Sequence, residues 1–240
     1  MNTFFKGRST NLLLPALLVL AGCMFNPALY KKGAFSIDDW ETWTSWNDAF
    51  GEHSVSSGEL SYRLGAGQDD TYDMPFNGRS PGLILSRELT GRNWSAEAHV
   101  RFKVPAGRLK RFSFGVWAGG EYVRPSLGSP AAVLKLLVQR RNGPKPDDDA
   151  FLITAPPLKE SAVKIPKEAK ALRFDRSGNS FAVSYSLDGK EFRQALRVES
   201  EDAAAAPSQK FFVSGLAEGN PQGAYAEFTS LTINGRETLQ

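Results

Sequence analysis

The feature that most constrains the fold is a short alternating segment that ends in a tight-turn signal. Residues 181–186, with the sequence FAVSYS, alternate apolar and smaller side chains in the period-two pattern of a half-buried β-strand. The segment continues into Leu187-Asp188-Gly189-Lys190, and Asp-Gly after such a strand is a strong signal for a β-hairpin. We therefore expect Gly189 to adopt a positive φ angle, which a β-branched residue resists.

Other segments with strand character recur along most of the chain. They are residues 60–64, 96–102, 112–117, 134–140, 211–214 and 226–233. Their spacing, together with 22 glycines and 14 prolines, predicts an all-β, antiparallel two-sheet β-sandwich. Residues 200–206 are alanine-rich but are followed by Pro207, so we expect a loop or a single turn there. We expect one domain, over residues 34–240.

The N-terminal residues have the three parts of a secretory leader. Residues 1–11 carry Lys6 and Arg8 and no acid, and residues 12–20 form an apolar run too short to remain as a membrane-spanning helix. Leu20-Ala21-Gly22 then precede Cys23, the only cysteine. This stretch resembles the lipobox of a bacterial lipoprotein signal. The alternatives are an ordinary secretory leader and a lone buried cysteine.

The lipoprotein resemblance implies a specific processing and location. Residues 1–22 would be removed, Cys23 would be acylated on its thiol and its new amino group, and residues 23–33 would form the lipidated tether. One acyl chain gives only marginal membrane attachment, but three would hold the protein essentially permanently. The expected partner is thus a membrane, outside the cytoplasm. Met24 stands where an Asp would favour inner-membrane retention, so the expected location is the outer membrane.

Charge argues against a nucleic-acid partner. The full chain has a formal net charge of +3, but two of its 29 basic residues belong to the leader, which leaves 27 against 26 acidic residues. No basic stretch is interleaved with aromatic residues, as a nucleic-acid surface would require.

Several segments together resemble one known fold family. The most specific are Arg176-Ser177-Gly178-Asn179-Ser180-Phe181 and the stretch from Tyr185 to Phe192, with supporting matches at residues 83–87, 94–98, 114–118, 213–216 and 226–228. They resemble the concanavalin A-like lectin/glucanase jelly roll, and in particular accessory modules of glycoside hydrolases. The resemblance covers about residues 35–234. It implies the fold and says little about the ligand, because this fold hosts many activities.

The sequence does not have the pattern of a hydrolase of this family. Glucanases of the fold place carboxylates at alternating positions of one strand, as in Glu-x-Asp-x-Glu, so that they face one cleft. Asp38, Asp39 and Glu41 do not alternate in this way, and Glu97 stands alone between Ala96 and Ala98. With only His53 and His99 as histidines, and with Cys23 expected to carry lipid, a nucleophilic triad is not indicated either. We expect no catalytic residue and no cofactor.

Metal binding is not predicted, but one alternative stays open. Histidine and cysteine are too few for a transition-metal site. Calcium needs only oxygen ligands, and two acidic clusters could supply them. These are Asp69, Asp70 and Asp73, and Asp147, Asp148 and Asp149. Acidic loops of this kind are usually just solvated.

Carbohydrate binding is the remaining candidate function. A carbohydrate site typically has an aromatic ring that stacks on the sugar ring and polar side chains that bind the sugar hydroxyls. In residues 112–117, Phe112, Phe114 and Val116 share the core face, so Trp117 points away from it. We predict a ligand site formed by Trp117, Tyr122, Arg124, Arg87 and Arg140, the last two on neighbouring strands if the family order holds. Alternatively, Trp117 packs beneath residues 119–129 or fills a shallow sheet surface. Trp40, Trp43 and Trp46 are expected to be structural.

Three functional classes follow. The first is a non-catalytic lipoprotein that binds a carbohydrate or a peptidoglycan-like ligand, and an exposed aromatic cleft would favour it. The second is an envelope protein-interaction or scaffold lipoprotein, which a broad apolar patch would favour. The third is a glycoside hydrolase, which would require clustered carboxylates with raised pKa values in a cleft.

Overall fold

The structure is a computed structural model. It describes residues 32–38, 41–46, 51–56, 59–64, 84–103, 110–119, 134–142, 150–155, 158–217, 225–234 and 236–237.

The described residues form strands and one short helix. In chain order the strands are β1 (Lys32–Asp38), β2 (Glu41–Trp46), β3 (Gly51–Ser56), β4 (Glu59–Leu64), β5 (Ile84–Glu88), β6 (Asn93–Lys103), β7 (Lys110–Gly119), β8 (Leu134–Asn142), β9 (Ala150–Ala155), β10 (Lys159–Ile165), β11 (Ala171–Ser177), β12 (Ser180–Ser186), β13 (Arg193–Glu199), β14 (Ser208–Ala217), β15 (Tyr225–Ile233) and β16 (Arg236–Glu237). The helix is α1 (Glu201–Ala205).

The strands pair into two antiparallel sheets. Sheet A has the order β1-β2-β5-β14-β7-β8-β9-β10, and sheet B has the order β13-β12-β11-β6-β15-β4-β3, with β16 on β15. Some neighbours in each sheet are consecutive in sequence, whereas others come from distant parts of it, such as β14, which lies between β5 and β7. The prediction of an all-β, antiparallel two-sheet sandwich is confirmed.

Alternating side chains fill the space between the sheets. Along β6, residues 94, 96, 98 and 100 are buried while the residues between them are partly exposed. Phe114 of β7 lies at the centre of an aromatic cluster, with ring centroids 6.0 Å from Phe174 of β11 and 5.6 Å from Phe228 of β15. The edge-to-face contacts of these rings join the two sheets. Trp43 of β2 is fully buried against Phe211, as expected for a structural residue, and Trp40 lies outside the described residues.

The β12–β13 hairpin has the turn that the sequence predicts. Gly189 has a φ of +82°, which confirms the expected positive angle. The carboxylate of Asp188 accepts hydrogen bonds from the backbone N–H groups of Lys190 at 2.8 Å and Glu191 at 2.9 Å, and from the Ser186 hydroxyl at 2.8 Å. These bonds favour the charged form and lower the pKa of Asp188 to about 2.

The alanine-rich segment forms the five-residue helix α1, slightly more than the single turn expected. Ser200 is its N-cap, and its hydroxyl oxygen accepts a hydrogen bond from the Ala203 N–H at 3.0 Å. Pro207 follows shortly after the helix ends.

No helix within the described residues is long and apolar enough to cross a membrane.

Candidate functional site

Trp117 lies on the face of sheet A that points away from sheet B, which we call the outer face of sheet A. The register of β7 pairs Trp117 with Lys210 of β14 and Lys135 of β8. Paired residues of antiparallel strands point to the same side, so the three side chains form a row. The Nζ atom of Lys210 lies 6.0 Å from the centroid of the Trp117 ring. The predicted orientation of Trp117 is therefore correct.

The expectation that the Trp117 ring is exposed is wrong. Its side chain is 1% exposed, so no face of the ring is open to a sugar. The indole lies over Gly119, where an added Cβ would be 2.6 Å from Cζ2 of Trp117. Phe212 and Leu137, on the same outer face, are each 1% exposed. Around Trp117, the described part of sheet A is thus buried on both faces.

The two arginines predicted to join Trp117 point to the opposite face. Arg87 of β5 pairs with the core residue Phe211 and is itself buried. Arg140 of β8 pairs with Phe112, and its guanidinium carbon lies 5.3 Å from the centroid of the Phe151 ring on the core side. Tyr122 and Arg124 lie outside the described residues. The described structure therefore does not bring Trp117, Arg87 and Arg140 into one site.

An open cavity lies at one end of the sandwich, where the two sheets meet. It has a volume of about 300 Å³, and we call it the end pocket. Its lining comes from the β5–β6 connection, the end of β11 and the start of β14: residues 88–91, Arg176, Ala206, Pro207 and Gln209. The volume lies at the lower end of the range for small-molecule sites.

Arg176 is the charged centre of the end pocket. It is 8% exposed and donates hydrogen bonds to three backbone carbonyls: Nε to Gly178 at 2.9 Å, Nη1 to Gly91 at 3.3 Å and Nη2 to Ala204 at 2.7 Å. Burial, and then the positive charge of Arg92, lower the pKa of Arg176. Arg176 thus ties three segments together and leaves a positive charge at the pocket wall.

Gln209 supports the inner side of the pocket. Its Oε1 atom accepts a hydrogen bond from Nε1 of Trp94 at 2.8 Å, and its Nε2 atom donates to the carbonyl of Ala203 at 3.1 Å. Both bonds are buried, so the Gln209 side chain has a fixed orientation.

Glu88 stands at the rim of the pocket with its own partners. Its carboxylate accepts hydrogen bonds from the Ser208 hydroxyl at 3.2 and 3.1 Å and lies 3.0 Å from Nζ of Lys210. The Lys210 side chain is only 9% exposed, whereas that of Glu88 is 55% exposed. The negative charge at the rim is therefore balanced by a buried lysine.

The outward face of sheet B carries one carboxylate–histidine contact and an arginine that is paired with two carboxylates. Glu97 lies 3.0 Å from Nε2 of His99, and Arg101 contacts Glu59 at 2.9 Å and Glu227 at 3.2 Å. Within the described ranges, no group of three His, Cys, Asp or Glu side chains is arranged to hold a metal ion. The two acidic clusters considered for calcium lie outside those ranges, so the calcium alternative stays open.

Comparison with solved structures identifies the fold. The chain is similar to the CBM2 module of the evolved Dit of Lactobacillus casei BL23 phage J-1, with a TM-score of 0.50, 9% identity and coverage of 79% of this chain and 81% of that one. It is also similar to a legume lectin-like domain from Entamoeba histolytica, with a TM-score of 0.50, 11% identity and coverage of 80% and 88%.

A carbohydrate esterase from the Shiga toxin-encoding bacteriophage phi24B is similar at a TM-score of 0.47 and 12% identity, with coverage of 82% of this chain and 90% of that one. The sequence matches no protein-family model and no curated protein. The similarity to the two structures with a TM-score of 0.50 shows a lectin-like β-sandwich fold, and a fold by itself does not determine function.

The sequence interpretation missed Arg176 as a site residue, although a signal was present. Leu172, Phe174 and Arg176 share one face of β11, and the first two belong to the core. An arginine that continues a core-facing row needs buried hydrogen-bond partners, because buried charges are rarely left without them. The position of Arg176 in this row therefore predicts a polar site at the end of β11, where the pocket lies.

Proposed function

We propose that this protein is a lipid-anchored, extracytoplasmic β-sandwich that binds carbohydrate without cleaving it. The observation that carries the proposal is the lectin-like fold, which is similar to a legume lectin-like domain and to a CBM2 module over about four-fifths of the chain. The end pocket gives this fold a polar cavity of about 300 Å³.

The ion pairs of the carboxylates support a role without catalysis. Glycosidases need two carboxyl groups that face each other across the substrate, one of them acting as the acid. Here Glu88 pairs with Lys210, Asp175 pairs with Arg173 at 3.1 Å, and Glu59 and Glu227 share Arg101. Each of these carboxylates is paired with a cation, which favours its charged form, whereas a catalytic acid must carry a proton.

The proposed anchor is the acylated Cys23, and the proposed location is the outer membrane. The support comes from the leader, its lipobox-like end and the residue Met24. Replacing Cys23 by serine should abolish lipid attachment and release the protein from the membrane fraction. The control is the wild-type chain, fractionated in parallel on a density gradient that separates the inner membrane from the outer membrane. A Cys23→Ser variant that stays in the membrane with unchanged processing would contradict the anchor.

Binding without cleavage can be tested by affinity electrophoresis. The full-length protein, purified in detergent, is run through native gels that contain single polysaccharides. We expect retardation by at least one polysaccharide and no new reducing ends after prolonged incubation with it. Release of sugar that a single carboxylate substitution abolishes would restore the hydrolase alternative. No retardation by any polysaccharide would favour an envelope protein-interaction role instead.

A further inference from the structure

The positive charge of Arg176 has no carboxylate partner among the described residues. Its guanidinium donates to three backbone carbonyls, and the charged group that affects it is Arg92, which is also a cation. Buried charges are normally paired with an opposite charge. Besides the three carbonyls, the guanidinium meets only the face of the Phe181 ring, with its carbon 5.6 Å from the ring centroid. A buried arginine that lines an open cavity and has these neutral neighbours can therefore be neutralised by an anion that enters from solvent.

Arg176 also has hydrogen-bonding capacity left for such an anion. A guanidinium has five N–H donors, and each terminal nitrogen carries two of them. Nη1 donates to Gly91 and Nη2 donates to Ala204, so each nitrogen keeps one further N–H. A carboxylate is the anion whose two oxygens match a pair of guanidinium donors best.

The neighbouring groups in the pocket suit a ligand that also has hydroxyls. Thr90, Gly91 and Glu88 line the same cavity, and Thr90 and Glu88 have polar side chains. Glu88 keeps lone pairs beyond its bonds to Ser208 and Lys210, because a carboxylate has about four acceptor positions. These groups can bind hydroxyl groups around a sugar ring, whereas an apolar acid would leave them without partners.

We propose that the end pocket binds a sugar that carries a carboxylate, of the hexuronic acid class, with the carboxylate on Arg176 and the ring hydroxyls on Thr90 and the rim. This proposal rests on the proposed function and specifies its ligand class and its site. It places the site at the junction of the β5–β6 connection with β14, where Trp117 does not line the cavity.

The test uses full-length protein in detergent and measures binding of D-glucuronate by isothermal titration calorimetry, with D-glucose as the neutral counterpart. We expect glucuronate to bind at least about tenfold more tightly than glucose, and its affinity to fall as salt is added. Thr90→Trp places a large ring in the pocket mouth from an exposed position, and it should weaken glucuronate binding by about tenfold or more. Ala205→Trp is the matched control, because Ala205 is exposed in α1 but does not line the pocket.

A charge variant tests the orientation of the ligand. Glu88→Gln keeps the size of the side chain and one accepting oxygen but removes the negative charge at the rim. It should strengthen binding of glucuronate about threefold relative to binding of glucose. Circular dichroism and thermal melting of each variant verify that the fold is retained.

The outcomes separate the site from the general function. Equal affinity for glucuronate and glucose would overturn the assignment of an acidic sugar. Glucuronate binding that Thr90→Trp leaves intact would overturn the site but not carbohydrate binding. Absence of binding to glucuronate, while the protein binds neutral polysaccharides in gels, would overturn the proposed ligand class alone. Absence of binding to every carbohydrate would overturn the proposed function as well.

Discussion

The indole of Trp117 occupies the space that a side chain at position 119 would need. An added Cβ at Gly119 would lie 2.6 Å from Cζ2 of Trp117 and 3.0 Å from Cε2. Trp117 cannot easily move aside, since it is 1% exposed. Because Gly119 has no side chain, the large indole of Trp117 can pack on the outer face of sheet A.

Gly119→Ala should therefore be destabilising, by about 1–3 kcal/mol, because the new methyl group must displace a packed ring. Urea unfolding followed by tryptophan fluorescence measures the loss. The double variant Gly119→Ala/Trp117→Phe is the control, because the smaller ring makes room and should recover part of the stability. If Gly119→Ala were as stable as wild type, the indole would not occupy this space.

Trp117→Ala should lower the free energy of unfolding by about 3–5 kcal/mol, as expected for truncation of a buried tryptophan. The physical reason is the loss of packed apolar surface on the outer face of sheet A. Thermal melting and chemical denaturation of the variant measure the change. A variant with near-normal stability and a selective loss of carbohydrate binding would instead restore Trp117 as a stacking residue.

Gly115→Ala should be more destabilising than a change at an open glycine. Gly115 has a φ of +151°, and an added Cβ would collide with the backbone carbonyl oxygen of Leu136. We expect the free energy of unfolding to fall by about 3 kcal/mol, because backbone strain and overpacking both contribute. Gly178→Ala is the matched control: its φ is +59° but nothing lies within 4 Å of the added Cβ, so only backbone strain of about 1–2 kcal/mol remains. Equal losses at the two positions would contradict the collision at Leu136.

Asp188 should make the hairpin sensitive to acid. Its pKa is lowered from 3.8 to about 2 by hydrogen bonds from the backbone of Lys190 and Glu191 and from Ser186. Because the folded pKa lies below the unfolded one, the stabilisation is present above pH 3.8 and is lost as the pH falls through about 2. Asp188→Asn should thus be less stable than wild type near neutral pH, and the difference should shrink on acidification. A difference that stays constant over this range would show that the charge of Asp188 contributes nothing.

The strands and the hairpin could be predicted from the sequence because they depend on local sequence patterns. The alternation in residues 181–186 and the Asp188-Gly189 turn depend on neighbours in sequence. The structure forms β12 and the turn there, and burial alternates up to Val183 before it shifts at Ser184. Alternation also gave the direction in which Trp117 points. It could not give the burial of Trp117, because the period of a strand tells which side a residue faces and not whether that side is open to solvent.

The end pocket could not be predicted from the sequence, for a different reason. Glu88, Arg176 and Gln209 come from distant segments, and they meet only because β14 lies beside β5 and β11 beside β6. No local pattern encodes those pairings. Arg87 and Arg140 were misplaced for the same reason, since their grouping with Trp117 required them to share its face, and the register puts them on the other.

Binding of carbohydrate by the intact protein tests the central claim most directly. Full-length protein in detergent is applied to a glycan array that includes neutral and uronate-containing glycans, beside an unrelated lipid-anchored protein in the same detergent. We predict reproducible binding to a subset of glycans, stronger for those with uronic acids, and no binding by the unrelated protein. A folded protein that binds no glycan on the array would contradict it.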